Sequence, residues 1–151
     1  RIRDAAPAAP DFRLHESGFE LTTLPGDLPA VEDWEPRASV RRHIYPLAER
    51  LACRVAGARE ALAFNHLTRH SNGSMTGAPV FLVHSDITVG RGPTHARALL
   101  EAHVLTKAAA EGPGAEGGER ALNDVLRGRL AFVNVWLPTS STPIQREPLA
   151  V

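Results

Sequence analysis

The chain has 151 residues, of which 43% are hydrophobic and 23% charged, and its formal net charge is +0. This length suffices for one domain with its own core, and the composition is typical of a soluble globular protein rather than a disordered one. Zero net charge excludes a strong field that would attract nucleic acid or an anionic membrane. Because the single cysteine, Cys53, excludes an internal disulfide and no apolar run has the length of a transmembrane helix, we predict a cytoplasmic protein.

The first 34 residues of the chain predict a lead-in, a short strand and a loop, and no helix. Residues 1–10 are rich in alanine and proline and predict an extended lead-in. Within residues 14–24, the alternation of Phe19 with Leu21 predicts a short strand. Residues 25–34 contain two prolines and a glycine and predict a loop.

A helical pattern follows this loop. Ser39 is of a type that caps helices, and apolar residues recur after it at helical spacing, namely Val40, Ile44, Leu47, Leu51 and Val55. Pro46 lies inside the pattern, so we expect a kink or two short helices. Gly57 predicts the C-terminal end of the helical segment.

The rest of the chain predicts three strands and two helices, in the order strand 61–69, strand 79–86, helix 94–110, helix 119–128 and strand 130–138. One side of the longer helix would carry Ala98, Leu99, Ala102 and Leu105. Polar, glycine-containing segments at 70–79 and 110–118 predict loops. No glycine-rich phosphate loop follows a strand, so the pattern favours a β-rich α+β fold, a partial jelly roll with flanking helices.

The strongest chemical signal is the pair His84 and Asp86 at the end of an apolar run. In a strand, residues two apart point to the same face, with Cα atoms roughly 6.5–7 Å apart, so both side chains could converge on one ion. Imidazole plus carboxylate is two thirds of the 2-His-1-carboxylate triad, which holds Fe(II) and leaves coordination positions open. The same spacing is equally typical of a hydrogen-bonded His–Asp pair without metal, and both interpretations stay open.

Five further residues are candidates, and four of them have two interpretations. Asn134 is either a hydrogen-bonding residue of the core or a ligand of co-substrate, and Arg69 either forms a supporting ion pair or binds a co-substrate carboxylate. His66, Thr88 and Trp136 are candidates for a substrate pocket. The alternatives are a buried, hydrogen-bonded imidazole for His66 and a turn-stabilising hydroxyl for Thr88.

Three blocks carry a resemblance to a known family, in the order AFNHLTR, PVFLVHSDIT and RGRLAFVNVWLP followed by PIQREPLAV. They resemble the hydroxylase/desaturase family of AsaB-like enzymes, which includes gibberellin-desaturase-like and cephamycin methoxylase-subunit-related proteins. GFELTTLP and SVRRHIYPLAERL resemble the stretch ahead of these blocks, so the resemblance covers the chain from about Arg3 to Val151.

The resemblance implies an oxygenase that depends on Fe(II) and 2-oxoglutarate, built on a double-stranded β-helix, with His84 and Asp86 as two metal ligands. It also implies a third ligand, a histidine after the block at 130–138, and beyond it a basic residue that binds 2-oxoglutarate. The chain has no place for either, so we expect residues 1–151 to be a single but incomplete oxygenase domain that lacks its C-terminal strands. Leu137 stands where the family has an arginine, and this departure favours a non-catalytic relative.

Three functions follow as hypotheses. The first is an oxidoreductase that hydroxylates or desaturates a small, secondary-metabolite-like molecule. The second is a non-catalytic jelly-roll remnant or an accessory binding subunit, and the third is a cupin-type metal-dependent hydrolase or isomerase. We expect a small-molecule partner, no nucleic acid and no membrane, with self-association through exposed sheet edges.

Overall fold

The computed structural model describes residues 6–24, 37–69, 80, 82, 84–111, 118–139 and 149. The chain divides into two compact units. The first unit comprises Arg1–Val80 with Val135–Val151, and the second comprises Phe81–Asn134. The predicted loops at 25–34 and 70–79, most of the one at 110–118, and the C-terminal block except residue 149 lie outside the described residues.

Two consecutive helices form the centre of the first unit, α2 at Arg37–His43 and α3 at Tyr45–Ala56. They break at Ile44 because Pro46, in the first turn of α3, has no N–H to donate and would clash with a continuing helix. This confirms the prediction of two short helices. Their buried side chains are four of the five predicted ones, Val40, Ile44, Leu47 and Leu51.

Both ends of this helical segment can be compared with the sequence prediction. Helix α2 begins at Arg37, so Ser39 lies inside the helix and does not cap it. Its hydroxyl lies 3.4 Å from His43 Nδ1, one turn further on. Gly57 adopts a left-handed conformation, φ 62°, as predicted for a helix end, and the cap N–H bonds the Cys53 carbonyl.

Three polar side chains of α3 bind the segments on either side of it. Tyr45 and Glu49, one turn apart, bond the stretch after the helix: Tyr45 Oη lies 3.0 Å from His66 Nδ1, and Glu49 Oε1 accepts from the Ala63 N–H at 2.9 Å. Arg54 donates to the Thr23 carbonyl at 2.6 Å. Helix α3 therefore organises the described part of the first unit.

The N-terminal segment differs from the prediction of an extended lead-in followed by a strand. Ala6–Asp11 forms a 3₁₀ helix, and Leu14–Ser17 forms the short helix α1, which ends at Gly18. The rings of Phe12 and Phe19 lie 4.6 Å apart on either side of α1. The strand prediction failed because this ring pair holds the segment in a bend, whereas alternation alone assumes a straight chain.

The second unit contains α4 at Gly92–Glu111 and α5 at Gly118–Arg127, which contact each other. Both helices were predicted, but the buried face of α4 was not. Ala98 and Ala102 are exposed, whereas Ala96 is buried, as is Leu122 of α5. Within α4, small residues occur on several sides, so the sequence pattern does not single out one face.

The prediction of a β-rich α+β fold with a partial double-stranded β-helix, or jelly roll, is wrong: every regular element among the described residues is helical. The described residues of 61–69, 79–86 and 130–138 are irregular. Their β-branched and aromatic residues fit a pleated, half-buried surface, but a strand also needs a neighbouring strand and a covered face. Leu82, Phe64 and Trp136 are instead exposed.

Candidate functional site

His84 and Asp86 lie in the second unit, in the loop that leads into α4. Their side chains approach each other as predicted, with His84 Nε2 3.3 Å from Asp86 Oδ1. The backbone bends at Asp86 and Ile87 and forms no strand, and Ser85 Oγ donates to the Ile87 carbonyl at 3.0 Å. The imidazole and carboxylate are 48% and 58% exposed, so solvent and small molecules can reach both.

The His84 ring is oriented by a backbone group. Its Nδ1 lies 2.8 Å from the Leu82 carbonyl oxygen. Because a carbonyl can only accept, Nδ1 must carry the proton of this bond. In the neutral imidazole the other nitrogen, Nε2, then carries the lone pair, which is the arrangement found in metal-binding histidines.

This tautomer creates an electrostatic requirement at Asp86. A lone pair on Nε2 and a negatively charged Oδ1 at 3.3 Å repel each other unless something positive lies against both. That positive charge is either a second proton on the imidazole, which gives an ion pair, or a metal ion bound by both atoms. The contact is therefore compatible with both predicted interpretations, a His–Asp pair without metal and two ligands of one metal ion.

The second oxygen of the carboxylate has its own partner. Asn134 Nδ2 donates to Asp86 Oδ2 at 2.8 Å, across 48 positions of sequence. The two oxygens of Asp86 are thus differentiated, one bonded to an amide and the other facing His84. Asn134 was predicted as a core residue or a co-substrate ligand, and it is an exposed side chain bonded to the candidate metal ligand.

Apolar contacts place the Asn134 segment beside the loop. A Cβ on Gly92, the first residue of α4, would lie 3.9 Å from the Phe132 ring and 4.0 Å from the Ile87 side chain. The rings of Phe132 and His95 lie 5.8 Å apart. Because Phe132 packs on the start of α4, Asn134 two residues later reaches Asp86.

The same loop starts the helix. The Thr88 carbonyl accepts from the N–H groups of Arg91 and Gly92, at 3.0 and 2.9 Å. Thr88, a candidate for a substrate pocket, therefore contributes its backbone to the turn before α4. Its side chain is exposed, and its role toward a substrate stays a prediction.

Three of the candidate residues belong to the first unit: His66, Arg69 and Trp136. His66 is half-buried and bonded to Tyr45, whose ring meets it edge-on at 5.6 Å. Burial lowers the pKa of His66 below 6.5, and the nearby cations Arg37 and Arg41 lower it further. Arg69 and Trp136 are exposed, and the co-substrate and substrate roles of these three residues stay predictions.

The described residues contain no cluster of three His, Cys, Asp or Glu side chains that could hold a metal. Of the other described histidines, His15, His43, His95 and His103 are exposed. No sequence pattern indicates the Leu82 carbonyl, since any residue has one. A signal for Asn134 did exist, because an amide within an apolar run needs a partner.

Comparison with known proteins identifies the family. Residues 1–151 match the family described as oxidoreductase/YMDC permease-like domain. The chain belongs to this family. In the part of the chain that the structure describes, no helix is both long and apolar enough to cross a membrane.

The chain is similar to a curated protein, Oxidoreductase AN1597 of Emericella nidulans. The two are 27% identical over 162 residues. The match covers 100% of this chain and 47% of the relative, so the chain spans about half the relative's length. No solved structure matches the chain. The two matches support the oxidoreductase class that the sequence resemblance implied.

Proposed function

We propose that this family member is part of a non-haem iron oxidoreductase, in which His84 Nε2 and Asp86 Oδ1 bind Fe(II). The observation that carries the proposal is the approach of these atoms to 3.3 Å while the Nδ1 proton is engaged by the Leu82 carbonyl. Membership of an oxidoreductase-like family and similarity to a fungal oxidoreductase support the reaction class.

The pair fits a metal ion in both chemistry and spacing. Imidazole and carboxylate are ligands that Fe(II) prefers. Two ligand atoms that each bind one ion at about 2.1 Å lie roughly 3.0–3.4 Å apart in octahedral or tetrahedral arrangements. The observed 3.3 Å lies within that range.

Iron bound here would supply the activation of O₂ together with 2-oxoglutarate, for hydroxylation or desaturation of an aliphatic C–H bond in a small molecule. The chain's own residues provide two ligands and orient them. The Leu82 carbonyl fixes the imidazole, and the exposure of both ligands leaves room for co-substrate and substrate. This proposal rests on the geometry of the pair and not on a β-helix scaffold.

Anaerobic Fe(II) titration tests the proposal. We expect the wild type to bind one Fe(II) per chain, and His84→Ala and Asp86→Ala to lose that binding. His103→Ala is the matched control, because His103 is an exposed histidine of α4 in the same unit. Equal binding by wild type and His84→Ala would show that the site is wrong.

Turnover separates an oxygenase from a protein that only binds metal. With Fe(II), O₂ and 2-oxoglutarate, an oxygenase releases succinate, and His84→Ala should not. If the wild type binds iron at His84 but forms no succinate with any aliphatic substrate offered, the accessory binding subunit becomes the better hypothesis.

A further inference from the structure

We infer that Asn134 is a positioning residue of the metal site: its amide holds Asp86 Oδ2 and thereby leaves Oδ1 facing His84 Nε2. The inference rests on the proposed function, since it assigns Asn134 a task at the same site. Asn134 contacts a metal-binding residue and does not itself bind the metal. Such outer partners commonly set the orientation of the groups that bind the metal.

The direction of the hydrogen bond defines the task. Asn134 Nδ2 can only donate, and Asp86 Oδ2 accepts from it at 2.8 Å. A carboxylate rotates easily about its last torsion, so without this bond its plane could turn until neither oxygen faces the imidazole. With the bond in place, Oδ1 is the oxygen 3.3 Å from Nε2.

The position of the amide is itself fixed by packing. Phe132, two residues earlier, and the Ile87 side chain both lie beside Gly92, and the Phe132 ring lies 5.8 Å from the His95 ring. Ile87 is the residue next to Asp86, so both ends of the Asn134–Asp86 hydrogen bond adjoin residues that lie beside Gly92. Phe132 therefore anchors the segment from which Asn134 reaches the carboxylate.

Exposure argues against a mainly structural role for this bond. Asn134 and Asp86 are both exposed, and a hydrogen bond between exposed groups replaces bonds to water with little net gain in folding stability. A bond that stabilises the fold little, yet orients a candidate metal ligand, is better explained by the site than by the fold.

The test compares Asn134→Leu, which keeps the size of the side chain and removes the donor, with the wild type. Both are titrated with Co(II), a spectroscopic substitute for Fe(II), and melted without metal. We expect Asn134→Leu to bind Co(II) about 10–100-fold more weakly, with a changed visible spectrum and an unchanged melting temperature. Asn134→Gln, which keeps an amide donor, should recover part of the affinity.

The controls distinguish the possible failures. Asn123→Leu changes an exposed asparagine of α5 and should bind Co(II) like the wild type. If Asn134→Leu matches the wild type in affinity and spectrum while His84→Ala loses binding, the positioning role is overturned and the metal site stands. If His84→Ala also binds like the wild type, the proposed function fails and this inference fails with it. Should Asn134→Leu melt early, the comparison of Asn134→Gln with Asn134→Ala decides, because alanine has no donor and equal Co(II) affinities in those two variants would overturn the role.

Discussion

The imidazole of His66 lies in a setting that favours its neutral form. It is half-buried and bonded to Tyr45, and Arg37 and Arg41, one helical turn apart on α2, repel a positive charge there. Burial is the larger cause of the lowered pKa and the two cations are the smaller. The residue that the sequence suggested for a substrate pocket thus takes part in the local structure of the first unit.

We predict that acidification destabilises the first unit through His66. Its folded-state pKa is below 6.5, so in the acid range the unfolded chain binds a proton that the folded chain resists. The stabilisation is complete above pH 6.5 and is lost as the pH falls toward the folded pKa. Denaturant unfolding at a series of pH values, with wild type and His66→Gln, measures this slope.

The NMR titration of the His66 ring tests the cause. Arg41→Gln should raise the pKa of His66 toward 6.5, whereas Arg42→Gln, the neighbouring exposed arginine, should change it less. A wild-type pKa at or above 6.5 would contradict this assignment.

Gly57 offers a second prediction for a single residue. Its φ of 62° lies in the left-handed region, and open space surrounds the position of an added Cβ. Gly57→Ala should therefore lower the free energy of unfolding by about 1 kcal/mol through backbone strain alone. Gly90→Ala is the control, because Gly90 also has open space but no positive φ; a loss equal to that of Gly57→Ala would refute the explanation.

At the candidate site, the sequence predicted the contact between residues close together in the chain. It did not predict the hydrogen bond between distant ones. His84 and Asp86 are two residues apart, so their approach needed only the right local backbone, and a bend serves as well as the expected strand. The bond from Asn134 spans 48 positions and depends on where Phe132 packs. No spacing rule within either segment contains that information.

Helix α3 is amphipathic. Leu47 and Leu51 are buried on one face, while Tyr45, Glu49 and Arg54 bond the flanking segments. Apolar positions at helical spacing predicted this helix and its break, because burial of one face is what the spacing encodes.

Truncating the buried face should therefore be costly. Leu47 is 4% exposed, and Leu47→Ala should lower the free energy of unfolding by about 2–5 kcal/mol through lost burial and the cavity left behind. Leu21→Ala, at an exposed leucine of the same unit, should change it by less than about 0.5 kcal/mol. Similar losses in both variants would show that α2 and α3 do not form the core of this unit.

The strand predictions failed for a reason that belongs to elements rather than residues. Residues 130–138 have the β-branched and aromatic content of a strand, yet they are irregular in the structure. A helix forms its hydrogen bonds within one segment, so the sequence of that segment can predict it. A strand forms them with a partner strand, which its own sequence does not reveal.

For the molecule as a whole, large apolar side chains at the surface predict self-association. Val89 is 97% exposed and Leu82 75%, and Trp136 is also exposed. Exposed apolar area of this kind favours contacts between copies. Sedimentation across a range of concentrations should show species larger than a monomer, and a monomer at every concentration would contradict the prediction.

The central claim, that His84 and Asp86 bind iron, is tested most directly by the NMR signals of the histidine rings during anaerobic addition of Fe(II). Paramagnetic iron broadens or shifts the ring that binds it. We predict that the His84 ring responds at one equivalent of Fe(II) while the His103 ring on α4 is unchanged, and that Asp86→Ala abolishes the response. A His84 signal that persists unchanged in excess Fe(II) would contradict the claim.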